Sequence, residues 1–403
     1  MIKEKVSPLN MLITNIALSI FSLLALAHLF LGLWWLAGWW FFILVVFLVL
    51  VSKQPLFIAF RKRSLLAYPL LFLSLFIIVT GLKVLFFGMF FVPTSSMERT
   101  ILPGDIIWGN KLSYGPSLPE SPYEIPGVNL FVWMIEGSRA DLERRWWEPR
   151  RLKGYRKATP GEILMFEDPV KKDVLLKRCM GIPGDTIRII NGKVYINNDL
   201  HHETKDLLLY SRVTVNNRRD ALEGLDRLGV HHFSFYSHGQ DTSHISLYLT
   251  QEEIERVFLL PGVTHIAIEK VRPDTAWRVY PSHDNFNWTI DDYGPIVIPE
   301  KGMKMELTRE SWILYGKLVN RFEKAGIEYS KGQFFMEGDL ITEYTFEKSY
   351  YFMLGDNRHD SRDSRYIGLI PEDKIICRAT MILFSKNKSG PKFSRTFKNL
   401  RNR

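Results

Sequence analysis

Three apolar runs dominate the N-terminal part of this chain: about Met11–Leu33, Trp35–Val51, and Leu65 onward to Val92. A helix of about 20 apolar residues crosses a bilayer, and each run meets or approaches that length. The rest of the 403 residues has the mixed character of a soluble domain. The chain is therefore expected to divide into a membrane anchor, residues 1–83, and a water-facing part. Predicted spans cover about 11–33, 35–51 and 65–82; if the first two runs form one re-entrant hairpin, the spans number two. Lys3 and Lys5 precede the first span, and Lys53, Arg61, Lys62 and Arg63 separate the second from the third. Positive charge stays on the cytoplasmic side, so everything after residue 83 is expected outside. Trp34, Trp35, Trp39 and Trp40 suit an interfacial belt. The first run is too long for a cleavable leader, and no small-x-small site follows it.

From Leu65 to Leu82 a helix already rises about 27 Å. Lys83 then falls at the outer interface, where its stem can snorkel. Val84–Val92 is read as a strand or loop on the membrane surface, with a continued tilted helix as the alternative. Either way the segment Val92–Asp105, V-P-T-S-S-M-E-R-T-I-L-P-G-D, begins next to lipid. Pro93 ends a helix and Gly104-Asp105 makes a turn before a strand from Ile106 to Trp108. Ser95 and Ser96 sit in the connection.

Two later stretches carry more chemistry. Asp173–Met180 reads as a strand around Lys177 and Arg178, closed by the turn I-P-G-D. A free lysine has a pKa of about 10.4, and burial among apolar side chains lowers it. A neutral amine can take a serine proton. Arg178, next in the strand, points to the other face and stays charged. Strand Tyr350–Leu354 runs into Gly355–Gly368, G-D-N-R-H-D-S-R-D-S-R-Y-I-G, whose carboxylates and guanidiniums suit bidentate pairing. His359-Asp360 could make a Ser-His-Asp triad with Ser96, but that leaves Lys177 without a role.

In this order behind membrane spans, the three stretches resemble the serine, lysine and C-terminal motifs of the type I signal peptidases, also called leader peptidases. The motifs cover roughly a tenth of the chain. The resemblance implies a mainly β, antiparallel extracytoplasmic domain behind the transmembrane helices, with a mixed α/β insertion. It implies a Ser/Lys-dyad serine endopeptidase that cleaves signal peptides from exported preproteins through an acyl-enzyme. Ser96 is then the nucleophile and Lys177 the base. The Ser96 N–H and the Thr94 hydroxyl bind the oxyanion. Ser361 orients the lysine, and Asp363, Arg365, Asp356 and Arg358 support the site. Val92, Ile101, Leu175 and Leu176 line pockets for small side chains at the last and third-last signal positions. No cofactor or metal is implied. The partners are preproteins and membrane lipid, and the location is the inner membrane. The family usually has proline where this chain has Arg99; the change is expected to alter the local turn or the approach to substrate and touches no reacting group.

The remaining stretches are less specific. The formal charge of +9 comes with no nucleic-acid motif. Cys179 and Cys377 either pair or are buried free thiols. Ile187–Asn197 predicts a hairpin turning at Asn191-Gly192, and Phe334–Thr345 has similar extended character. The catalytic domain is assigned to residues 84–200 and 333–385, and 201–332 to an insertion. That insertion holds helices at Thr250–Leu259, with a Thr250–Glu253 capping box, and at Thr308–Ala325. Its histidines, His201, His202, His231, His232, His238, His244, His265 and His283, lack metal-ligand spacing. Residues 386–403 carry seven basic residues and no acidic one, read as a disordered tail or one resting on anionic headgroups. The other function classes weighed are a soluble self-cleaving repressor protease, which the apolar runs disfavour, and a membrane-anchored binding or assembly protein that retains the fold without using the site.

Overall fold

A computed structural model describes residues 8–30, 34–51, 58–59, 64–129, 132, 134, 146–171, 173–201, 207–230, 244–269, 278–387 and 390–400. Lys3, Lys5, Lys53 and Arg61–Arg63, on which the orientation was read, lie outside the described residues, as do His202, His231, His232 and His238. The chain forms two compact units, one of residues 1–88 and 110–157, the other of 89–109 and 158–403.

The first unit is helical. Helices α1 (Pro8–Phe30) and α2 (Trp34–Val51) run antiparallel, with Phe21 stacked on Trp40 at 6.1 Å and His28 at 6.3 Å from the same ring. Helix α3 (Ser64–Gly81) continues through a π-turn, Leu82–Phe86. Among the described residues, one helix, Ala67–Phe86, is long and apolar enough to cross a membrane; the apolar stretches Thr14–Phe30 and Ala37–Leu50 are shorter. The third predicted run thus carries helix for four residues beyond Leu82 and only then becomes extended. The π-turn closes where the Phe87 N–H bonds to Leu82 O.

The second unit is mainly β. Seven strands of its nine-stranded sheet have the order β1 (Phe87–Phe91), β2 (Asp105–Asn110), β10 (Ile375–Asn387), β3 (Ile163–Glu167), β4 (Val174–Gly181), β8 (Tyr350–Leu354), β9 (Ile370–Pro371), and the short strands Gly390–Pro391 and Lys398–Asn399 both pair with β10. Both β3 and β4 are central, which explains their near-continuous apolar sequences: a strand covered on both faces has no polar side to alternate with. Val92, Met97 and Ile101, from the loop between β1 and β2, pack with Ile107 of β2, Ile163 and Met165 of β3 and Ile382 of β10 into one core. A second, aromatic core joins Ile187, Tyr293, Phe346, Tyr350 and Phe352.

The stretch 201–332 divides between cores. Strands β5 (Leu209–Val215), β6 (His244–Leu249) and β7 (Val263–Ile268) form a separate sheet, order β7-β5-β6. Helices α4 (Arg218–Arg227) and α5 (Gln251–Phe258) supply Ala221, Leu225 and Val257 to its core. Residues from Val279 to Ile327, including helix α6 (Arg309–Leu318), pack instead into the aromatic core. Helix α6 continues through a π-turn, Val319–Glu323, and ends at Lys324 with φ 57°, just short of the predicted Ala325.

Local signals behave as their chemistry requires. Thr250 accepts from Glu253 N, and Glu253 reaches back to Thr250 N. Asn191 and Gly192 have φ 51° and 77°, the paired left-handed residues of a two-residue hairpin. Cys179 and Cys377 are buried free thiols. The C-terminal residues correct the expectation of a disordered tail. Lys398-Asn399 pairs with Met381-Ile382 on β10, Leu400 is buried, and Arg395 bonds to Asp105 at 2.7 Å. The acidic partner lies in another segment, so the tail's own composition could not reveal it.

Candidate active site

The turn carrying Ser96 is tied at both ends. Val92 N donates to Asp105 O (2.9 Å) and Gly104 N to Val92 O (2.8 Å), which closes the base of the loop between β1 and β2. Within it Glu98 N donates to Ser95 O and Ile101 N to Met97 O. The buried side chains of Met97 and Ile101 hold the turn down on the core. Ser96 is left at the surface edge of that core, 7% exposed.

Lys177 stands on β4, opposite Leu164 on β3. It is 3% exposed, and its Nζ lies 2.6 Å from Ser96 Oγ. A second contact, Nζ to Leu176 O at 3.0 Å, uses one N–H. A neutral amine has two N–H donors and one lone pair, so it can donate to Leu176 O and accept from the serine. Burial lowers the Lys177 pKa to about 8, against the pull of the Asp363, Asp356 and Asp360 carboxylates; Arg362 assists the lowering. Desolvation prevails over three anions because the ammonium has lost almost all its water.

The polar loop after β8 holds the second wall. Arg178 makes a bidentate pair with Asp356 (2.8 and 2.7 Å) and donates to Gly161 O (2.8 Å). Asp356 also accepts from Thr100 Oγ1 at 2.6 Å, which ties the serine turn to the same carboxylate. Asn357 N donates to Ser96 O at 3.1 Å. Farther in, Arg365 grips Asp363 through Nε (2.9 Å) and Nη2 (2.8 Å) and donates to Ile290 O and Arg358 O. Burial alone would push the Asp363 carboxyl up, but the Arg365 guanidinium and the Gly355 N–H hold it below the usual carboxylate range. Arg358 is buried and donates to Gly355 O at 3.1 Å.

Not every expected contact is present. Ser361 is buried, but among the described residues its Oγ has no hydrogen bond of normal geometry to Lys177 or to another group. It stands near enough to Asp363 to help lower that carboxyl's pKa. Thr94 is exposed, its Oγ1 3.5 Å from Ser96 Oγ. Val92 and Ile101 are packed into the core, so they back a wall rather than form its surface, whereas Leu175 and Leu176 are half-buried. His359 faces away from Ser96: it lies 2.9 Å from Asp291 and accepts from Tyr210 N. The triad alternative is thereby overturned. Asp360 is the partner of Ser95 Oγ.

Gly355 opens the polar loop. A Cβ there would lie 2.1 Å from Ser361 Oγ and 2.6 Å from Ser96 O, so the absence of a side chain lets the two walls close. Nothing in the sequence announces this, because the colliding atoms belong to residues that meet it only in the fold. Arg99 is a further surprise: it has φ 76° and pairs with Glu253.

A hydroxyl and a buried amine at hydrogen-bond distance are what a serine hydrolase with a lysine base requires. The profile of the family described as "Signal peptidase, peptidase S26" matches residues 65–238 and 322–384. Signal peptidase I of Rickettsia massiliae (strain Mtu5) is 33% identical over 307 residues, 75% of this chain and 74% of that one. Signal peptidase I of Buchnera aphidicola subsp. Schizaphis graminum is 26% identical over 319 residues, 78% of this chain and 73% of its own. That of Helicobacter pylori (strain J99) is 24% identical over 330 residues, 80% and 83%. A crystal structure of a signal peptidase I from Enterococcus faecalis V583 aligns with 56% of this chain and 98% of its own, at 15% identity and a TM-score of 0.22. The chain belongs to the signal peptidase family, peptidase S26.

Proposed function

We infer that this signal peptidase cleaves signal peptides from preproteins with Ser96 as nucleophile and Lys177 as general base. The observation that carries the assignment of residues is the 2.6 Å separation of Ser96 Oγ and a buried Lys177 Nζ. The amine lone pair takes the hydroxyl proton as Oγ bonds to the carbonyl carbon at the end of the signal peptide. The Ser96 N–H and the Thr94 hydroxyl receive the oxyanion, donors of a kind worth about 3 kcal/mol each. The ammonium then protonates the leaving amine as the C–N bond breaks. The neutral lysine next takes a proton from water, whose oxygen attacks the ester. That proton returns to Ser96 Oγ as the acyl bond is cleaved.

The half-buried Leu175 and Leu176, backed by Val92 and Ile101, suit shallow pockets for small side chains. Asp356, Arg358, Asp363 and Arg365 act by positioning, and Ser361 faces the site from the same loop. The enzyme is anchored through the Ala67–Phe86 helix, with α1 and α2 as further spans, in the inner membrane. Its catalytic unit lies on the extracytoplasmic side against lipid. The apolar helix ending close before Ser96 in sequence supports this, since a signal peptide also arrives from the bilayer.

The test is cleavage of a preprotein with small residues at the cleavage site by full-length protein in detergent. Ser96→Ala and Lys177→Met are each expected to lower kcat by about a thousandfold or more. Cleavage that persists in either folded variant would falsify the dyad. A wild-type chain that binds preproteins without cutting any would favour the binding-protein reading.

A further inference from the structure

We propose that helix α5, in the subdomain of residues 209–268, positions the nucleophile through an ion pair between Glu253 and Arg99. The proposal rests on Ser96 being that nucleophile. Arg99 lies three residues after Ser96 in the same turn, and its Nη2 donates to Glu253 Oε1. Both side chains are largely withdrawn from water, at 23% and 17% exposure. Glu253 is itself fixed. Its other carboxylate oxygen accepts from Thr250 N (2.9 Å) and Thr250 Oγ1 (3.1 Å), and Thr250 caps α5. One carboxylate therefore joins the start of a helix, anchored in its own core by Val257, to the turn that carries the serine.

The backbone of Arg99 shows why such a brace is needed. Its φ of 76° is the left-handed region, unfavourable for any residue with a Cβ. Residues held there mark functional turns when their surroundings over-determine them. Proline, usual at this place in the family that the motifs resemble, has φ near −65° and could not adopt this conformation. Here the turn is not stiffened by a ring. The opposite wall already holds it through Asn357 N to Ser96 O and Thr100 to Asp356, and the ion pair supplies a grip from the other side. Glu253 lies between the two segments that match the family profile, in a stretch the profile does not cover.

The variants Arg99→Gly and Glu253→Gln separate positioning from mere stability. Glycine suits φ 76° and relieves the backbone, while glutamine keeps the capping box through its amide oxygen and puts an NH2 group in place of the oxygen that accepts from Arg99. Measured with full-length protein in detergent on a preprotein, each is expected to lower kcat about tenfold with KM within twofold. The expected Tm is unchanged, and the pH of half-maximal rate stays that of wild type. The double variant should be no slower than either single one, since both remove one interaction, and Arg99→Lys should recover part of the rate. The proposal is overturned if both single variants keep kcat within twofold of wild type, if their losses multiply in the double variant, or if kcat falls only in step with Tm. Ser96→Ala in the same assay tests the underlying reading separately. If it is inactive while Arg99→Gly is fully active, only the brace is lost; if it is active, the nucleophile is wrong.

Discussion

The ammonium form of Lys177 has almost no water around it, and that single circumstance governs both rate and stability. An unfolded lysine titrates at 10.5, whereas in the fold burial brings the value to about 8. With Lys177 as the proposed base to Ser96, rate should climb with pH and reach half its maximum near pH 8, where half of the amine is neutral. A profile flat from pH 6 to 9 would contradict a lysine base. The stability consequence has a definite sign. Between pH 8 and 10.5 the unfolded chain holds a proton that the folded chain has released, so stability rises with pH through that window and the full cost is borne below it. Lys177→Met, similar in length but without charge, is predicted to stabilise the protein at pH 7 by on the order of 3 kcal/mol. The gain should shrink towards zero by pH 10.5. Denaturation of the two proteins at both pH values checks this, and a gain independent of pH would show that the lysine is not desolvated as described.

Among the elements, β4 and the C-terminal strands show how far sequence can lead. The run V-L-L-K-R-C-M-G does not alternate because β3 and β8 flank it and both faces are covered. Lys177 and Arg178 are then both buried, one facing a hydroxyl and the other a carboxylate. That contrast was legible as a strand with two adjacent cations on opposite faces. The C-terminal segment was not, because seven basic residues without an acid look like a solvated tail. Its Arg395 answers Asp105, a carboxylate with no exposed surface, which also accepts from Leu102 N in the loop beyond the serine. We predict that Arg395→Ala, which leaves that carboxylate buried without its cation, destabilises the catalytic unit by on the order of 3 kcal/mol. A denaturant midpoint unchanged from wild type would return the tail to the status of a solvated appendage.

For the whole molecule, the question is what the apolar helices do. The most apolar 18 residues of the Ala67–Phe86 helix have a mean hydropathy of 2.3, and none of them is buried. Water-facing helices do not carry such sequences, and a bilayer is the solvent that suits them. The full chain should therefore stay with membrane vesicles under alkaline wash and be released by detergent. Protease added from the extracytoplasmic side should reach residues of the 209–268 subdomain. Release by alkali alone would count against a spanning anchor, and protection from that side would reverse the orientation.

Composition and local order by themselves determined the apolar N-terminal helices, the strands around Ser96 and Lys177, the Asn191-Gly192 hairpin and the Thr250–Glu253 cap. Each depends on neighbours a few residues away, or on a hydrophobic run that only one solvent suits. The resemblance of three motifs singled out Ser96 and Lys177. Only the tertiary structure decided that Glu253 meets Arg99, that His359 belongs to Asp291, that Gly355 must lack a side chain and that Arg395 is the partner of Asp105. The partners in those ion pairs and hydrogen bonds stand 68 to 290 positions apart. At such separations, side-chain chemistry says what could pair, and chain topology alone says what does.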